Sequence, residues 1–235
     1  DILRKWDRIS FRGKFHYILA TASIREAIEY YHLLKDNDLD LFVTAVFDPH
    51  TDNTSDDIFK DIAVEEILKD YNKHFNMKCT VGAYRRFKDD VCARLAHKEP
   101  YKNLAAEREG AVNIVIVVNQ LLTGFDSAWI NTLYLDKVIE YEQFIQAASR
   151  TNRLNGFEKQ YGIIKYCRKP YTMEKNAEEA LKLYAEASYK EVFVPSLGQN
   201  IISMNNDYHR IIQLFEANGI ENFSRLPDSE ADINL

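Results

Sequence analysis

The run Val112-Asn113-Ile114-Val115-Ile116-Val117-Val118-Asn119 restricts the possible folds of this chain more than any other segment. Its interior is apolar at consecutive positions rather than alternate ones, so both faces of an extended segment would be buried. A strand of that kind belongs inside a parallel sheet with helices packed against each side. Four further short apolar runs read as strands: His16–Thr21, Leu41–Phe47, Thr132–Asp136 and Gly162–Tyr166.

The segments between these runs have helical spacing. Ser23-x-x-Glu26 forms a capping box, and Ile24, Ala27, Ile28, Tyr31 and Leu34 follow it on one stripe. Helical spacing returns from Ile58 to about Phe75, and again at Phe87, Val91 and Leu95. Asp48–Asp57 is polar and reads as a surface loop, and Pro100–Gly110 as a loop or broken helix. Tyr141–Arg153 reads as a helix between the last two strands. Strands alternating with helices predict an α/β fold, a parallel sheet flanked by helices.

The character changes after Tyr166. Ala177, Ala180, Leu181 and Tyr184 mark one helix, and Tyr208, Ile211, Ile212 and Phe215 another, closed by Asn218-Gly219 as a C-cap. Pro195–Asn200 reads as a linker. A boundary near Pro170 is expected, giving one domain over residues 1–170 and a helical appendage over residues 171–235.

Charge and cysteine usage narrow the function classes. A net charge of −6 is not that of a free-standing DNA binder, so any nucleic-acid contact must be local. Cys79, Cys92 and Cys167 are odd in number and lack CxxC spacing, which argues for a reducing, cytoplasmic setting. The six histidines are scattered with no HExxH, and no metal site is expected. No stretch has the apolar length to span a bilayer. The chain begins at Asp1 without Met or a signal-peptide core, and reads as a piece of a longer polypeptide.

Two segments carry chemistry. Leu121-Leu122-Thr123-Gly124-Phe125-Asp126 directly follows the most apolar strand. Gly124 permits close backbone approach to a ligand. Thr123 can donate to a phosphate oxygen, and Asp126 can accept from a ribose hydroxyl or orient an arginine. Read alone, this is also an ordinary strand exit. The second segment is Gln146-Ala147-Ala148-Ser149-Arg150-Thr151-Asn152-Arg153. On a helix Gln146, Arg150 and Arg153 share one stripe. Two guanidinium groups a turn apart can clamp a polyphosphate; alone, they are also an ordinary solvated helix face. Each segment follows a strand of one parallel sheet, which predicts a shared site at its carboxyl edge.

Taken together, the two segments resemble motifs V and VI of superfamily 2 helicases and translocases, motif VI having the general form Gln-x-x-Gly-Arg-x-x-Arg. Ser149 replaces the Gly of many members. With Leu-Leu-Thr-Gly-Phe-Asp upstream and Thr-Leu-Tyr-Leu-Asp-Lys between, that departure resembles the R subunit of type I restriction enzymes. The strand-turn-helix at His16–Lys35 resembles the motif IV region opening the second motor domain. The likeness covers roughly residues 10–170 and implies a RecA-like second motor domain. It implies that Arg150 and Arg153 face the γ-phosphate of ATP, at least one as an arginine finger, and that Gln146 senses the nucleotide. It implies that Gly124 and Asp126 border the nucleotide cleft, and that Thr123, Ser23 and Arg25 contact DNA backbone.

A phosphate-cradling GxxxxGK[ST] loop is not found. Gly13-Lys14 is the only Gly-Lys pair, Phe15 follows it, and Arg8 stands where the first glycine would be. There is no Asp-Glu dipeptide. The resemblance therefore implies that ATP and Mg²⁺ are held mainly by a preceding RecA-like domain, and that this fragment alone does not hydrolyse ATP. It further implies duplex DNA, a nuclease domain of the same chain, and specificity and methylation subunits as partners. Two alternatives stand beside it: another superfamily 2 DNA or RNA helicase, or a RecA-like interaction scaffold without catalysis.

Overall fold

A computed structural model describes residues 2–48, 57–104, 110–122, 124–184, 197–220 and 223–224. The chain divides into two compact units, Asp1–Tyr189 and Lys190–Leu235.

The first unit is built on five strands: β1 His16–Thr21, β2 Val43–Val46, β3 Ile114–Val117, β4 Ile130–Asp136 and β5 Ile163–Tyr166. All neighbours are parallel, in the order β2-β3-β1-β4-β5. β3 is an interior strand, as its composition predicts, but β1 occupies the middle, and every one of its residues is buried. The observed strands are shorter than the apolar runs at β2 and β3. The ladder ends where the backbone turns to positive φ at Asn119 and Leu121.

Around the sheet lie α1 Trp6–Ile9, α2 Ile24–Lys35, α3 Asp57–Phe75, α4 Tyr84–Leu95, α5 Tyr141–Ala148 and α6 Pro170–Tyr184. The expected capping box closes α2 with one shift. The Glu26 N–H donates to Ser23 Oγ at 3.2 Å, while Glu26 Oε2 accepts from Ala22 N–H at 3.0 Å rather than from Ser23. Helices cover both faces. Tyr30 of α2 donates to Asp136 at 2.9 Å on the side of Tyr17 and Tyr134, whereas Phe144 of α5 packs near Tyr166 on the other. Successive residues of a strand point to opposite faces, which fixes these assignments.

The expected boundary at Pro170 coincides with the start of α6. That helix buries Met173, Ala177 and Ala180 in the core of the first unit and packs on α5. In the second unit α7 spans Leu197–Ala217, so residues 197–200 of the expected linker form its opening turn. Asn218-Gly219 ends it as predicted: Gly219 has φ +65°, its N–H donates to Glu216 O, and the Ile220 N–H donates to Phe215 O.

Two buried polar groupings were not visible in the sequence. Arg94 is 5% exposed, pairs with Asp90 at 2.9 Å, and donates to Tyr71, Tyr101 and the Gly110 carbonyl. Its guanidinium also lies 3.7 Å from the Phe75 ring centroid. Burial pushes the Asp90 carboxyl up, but hydrogen bonds from Tyr101, Tyr71 and Arg94 outweigh it and hold Asp90 below its ordinary range. His16 and His97 approach Nε2 to Nε2 at 2.7 Å, and His97 stacks on Trp129. Burial lowers the pKa of both, and in His16 the facing His97 lowers it further. Among the described residues no helix is long and apolar enough to cross a membrane, and no group of His, Cys, Asp or Glu could hold a metal ion.

Removing one partner of a buried ion pair leaves the other charge uncompensated. Arg94→Ala is therefore expected to lose about 3–5 kcal/mol of unfolding free energy in chemical denaturation. The histidine pair sets an acid limit. Unfolded histidines titrate near pH 6.5, the folded pair at about 4 or below. The folded state thus binds fewer protons in that window, and stability is present above it and lost as pH falls through it. The melting temperature should drop between about pH 6.5 and 4, and His97→Gln should flatten that part of the curve.

Candidate functional site

The site follows from the way α5 ends. The predicted helix over 141–153 stops at Ala148. Thereafter the N–H groups of Arg150 and Thr151 bond three residues back, to Ala147 and Ala148, in tight turns. Side chains compete for the last carbonyls. Ser149 Oγ donates to Gln146 O at 2.7 Å, Arg150 Nε to the same oxygen at 3.0 Å, and Thr151 Oγ1 to Ala148 O at 3.1 Å. Short hydroxyl side chains that satisfy backbone groups locally end helices in this way. Gln146 therefore lies in the helix, with Arg150 and Arg153 beyond it, and the expected single stripe is not formed.

The position on the sheet also differs from the expected carboxyl edge. α5 leaves β4 at that edge and must deliver the chain to the start of β5. Its far end, with the two arginines, accordingly lies at the amino-terminal edge. Gly162, one residue before β5, marks the spot: a Cβ there would stand 2.6 Å from the Thr151 carbonyl oxygen. Only glycine admits this approach.

The segment after β3 reaches the same edge by a different path. Among the described residues it has no helix, and it leads to Trp129, whose carbonyl accepts from His16 N–H at the start of β1. On the way Asp126 pairs with Arg153. The two chemistry-bearing segments thus meet through a carboxylate and a guanidinium, both about half exposed. Arg150 is held by Gln146 O and by Ser149 Oγ at 2.8 Å, and Gln146 itself by Glu142 at 2.6 Å. Gly124 has φ +70° and faces open space. With Asp126 and Gln120 it borders a cleft of about 580 Å³ against α4, where Lys88 and Lys98 add positive charge. In the sequence Arg85-Arg86-Phe87-Lys88 reads as an exposed helix start that could also touch DNA phosphate, whereas Lys98 does not stand out.

Ser23 and Arg25 lie at the opposite edge, at the carboxyl end of β1. The Ser23 hydroxyl caps α2, and Arg25 is 73% exposed with Glu29 as its partner at 3.3 Å. Thr123 lies outside the described residues. The structure thus joins Asp126 to Arg153, keeps Gln146 and Arg150 beside them, and leaves Ser23 and Arg25 apart.

A parallel order of 2-3-1-4-5, helices on both faces and an arginine-bearing turn answering the loop after β3 define an α/β domain of RecA-like type. A family model described as type I restriction enzyme subunit R domain 3 matches residues 13–169. The chain belongs to that family. It is 28% identical over 195 residues to the type I restriction enzyme SauCOLORF180P endonuclease subunit of Staphylococcus aureus strain COL, covering 80% of this chain and 20% of that protein. The SsaAORF53P endonuclease subunit of Staphylococcus saprophyticus is 28% identical over 219 residues, covering 84% and 22%. A putative MpnIIP endonuclease subunit N-terminal part of Mycoplasma pneumoniae is 45% identical over 65 residues, covering 28% and 16%. The chain spans about a fifth of the length of the curated Staphylococcus relatives it matches.

The turn rests on packing more than on its ion pair. An exposed pair contributes at most about 1 kcal/mol, whereas overpacking costs about 1–3 kcal/mol. Denaturant titration should therefore find Asp126→Asn within about 1 kcal/mol of the parent. Gly162→Ala should lose about 1–3 kcal/mol.

Proposed function

We propose that this chain is the second motor domain of an ATP-driven DNA translocase, the R subunit of a type I restriction enzyme. In this reading Arg150 and Arg153 face the γ-phosphate of ATP. The nucleotide and its Mg²⁺ are held mainly by another RecA-like domain of the same polypeptide, and this chain alone is inactive. The observation that carries the reading is the Asp126–Arg153 pair, which brings the loop after β3 onto the arginine turn in a chain of this family.

The residues fit the role. Asp126 fixes the direction of Arg153. Arg150 uses two of its five N–H donors on Gln146 O and Ser149 Oγ among the described residues, leaving the others for phosphate oxygens. ATP supplies the phosphoryl group and the energy of its transfer. Positive charge fixed in advance stabilises the charge that redistributes during that transfer. Gly124 leaves room beside the arginines for a ligand, and Gln146 at the helix end relates the turn to α5.

Ser23 and Arg25, with Thr123, meet the backbone of duplex DNA. The position of Ser23 and Arg25 on the opposite edge from the arginines suits a motor in which closure over ATP tilts a separate DNA-contacting edge. In this reading the enzyme's nuclease domain and its specificity and methylation subunits complete the assembly; support comes from relatives named as endonuclease subunits of type I restriction enzymes.

ATPase turnover of the whole polypeptide with duplex DNA tests this. Arg150→Ala and Arg153→Ala should each remain folded, and at least one should lose about 10³-fold or more in turnover. Near-normal turnover in both would make the pair a solvated helix end and the domain an interaction scaffold.

A further inference from the structure

On the face that carries α1 and α2, a groove of about 660 Å³ opens beside the edge strand β5. Arg8, Ile9 and Phe11 form one wall, and the hairpin over Phe157–Tyr161 the other. The register places Lys165 on the same face as Tyr134 and Tyr17. Asn131 joins them through an irregularity: His16 pairs with Ile130 and Tyr17 with Thr132, so Asn131 is the extra residue of a bulge. Bulges re-aim side chains in this way, and Asn131 donates to the Ile9 carbonyl. α5, which leads into the arginine turn, packs on the opposite face.

The hairpin is fixed at three points. Asn155 N–H donates to Lys159 O at 3.0 Å across an antiparallel bridge. Lys159 is 2% exposed and donates to the Ala128 carbonyl at 3.0 Å. Glu158 pairs with Lys14. Gly156, at φ +61°, forms the tip. This anchoring holds the Phe157 ring 95% exposed, with Tyr161 51% and Phe11 44% exposed nearby. A large apolar side chain presented to solvent on an anchored loop has no role in the core.

Charge defines what such a surface suits. Arg8 and Lys165 have no ion-pair partner among the described residues, and Glu158, the acid lining the groove, is already paired. The chain as a whole carries −6. Exposed rings interleaved with unpaired cations accept stacked bases and backbone phosphates in any sequence.

We propose that this groove binds single-stranded nucleic acid, with one base stacked on Phe157 and the adjoining phosphates on Arg8 and Lys165. It is separate from the arginine turn, and from the carboxyl edge that carries Ser23 and Arg25.

Fluorescence anisotropy with a labelled oligothymidylate of about 12 nucleotides tests the assignment on the whole polypeptide, without ATP. Phe157→Ala should weaken binding roughly 5- to 150-fold, and Phe157→Tyr should retain it. Lys165→Gln should reduce the slope of log affinity against log salt by about 0.7. Arg150→Ala and Arg153→Ala should bind as the parent does, so a failed arginine-finger reading leaves this test intact. Unchanged affinity in both Phe157→Ala and Lys165→Gln overturns the proposal. So does a Phe157→Ala variant that melts earlier with unaltered affinity, which assigns the groove to docking within the polypeptide.

Discussion

Five strands running the same way oblige the chain to return to the amino-terminal edge after each of them. Every other feature of the first unit answers that constraint. α2 returns on one face and α5 on the other, so the middle strand β1 is wholly buried. The connection from β3 to β4 returns without a helix among the described residues, and its irregular backbone is what brings Asp126 to Arg153. The arginine turn is the end of a return path, and it stands at the edge opposite the one where strand ends usually gather ligands.

Buried polar groups mark where the covering elements are pinned. Arg94 joins α4 to α3 through Tyr71 and to the approach to β3 through the Gly110 carbonyl, with Asp90 of its own helix as its ion-pair partner. The His16–His97 pair joins the start of β1 to the segment after α4, beneath Trp129. At the other edge Arg168, just past β5, bonds Asp136 at the end of β4 and Glu26 in α2. Apart from Asp90, which shares α4 with Arg94, the partners come from separate elements, so these pairings hold one element's position relative to another.

The acidity of the chain gives its local cations meaning. With a net charge of −6, positive residues act where they are grouped. Among the described residues, the arginine turn, the cleft with Lys88 and Lys98, and the groove with Arg8 and Lys165 are such places. The first two flank the connection after β3. The third lies by the edge strand, on the other face.

By itself the sequence determined the elements. Five apolar runs became five parallel strands, the Ser23 capping box and the Gly219 cap closed helices, and the strand exit and arginine cluster identified the two segments that meet. These are local properties, because burial on both faces, capping and positive φ depend on neighbouring residues. Tertiary structure decided the rest. It put β1 in the middle, drew α6 into the first unit and placed the arginines at the amino-terminal edge. It also paired Asp126 with Arg153, Arg94 with Tyr71 and His16 with His97, and pressed Gly162 against Thr151. Each of these joins residues on separate elements or depends on a helix packing against one, and so is fixed only once the return paths across the sheet are chosen.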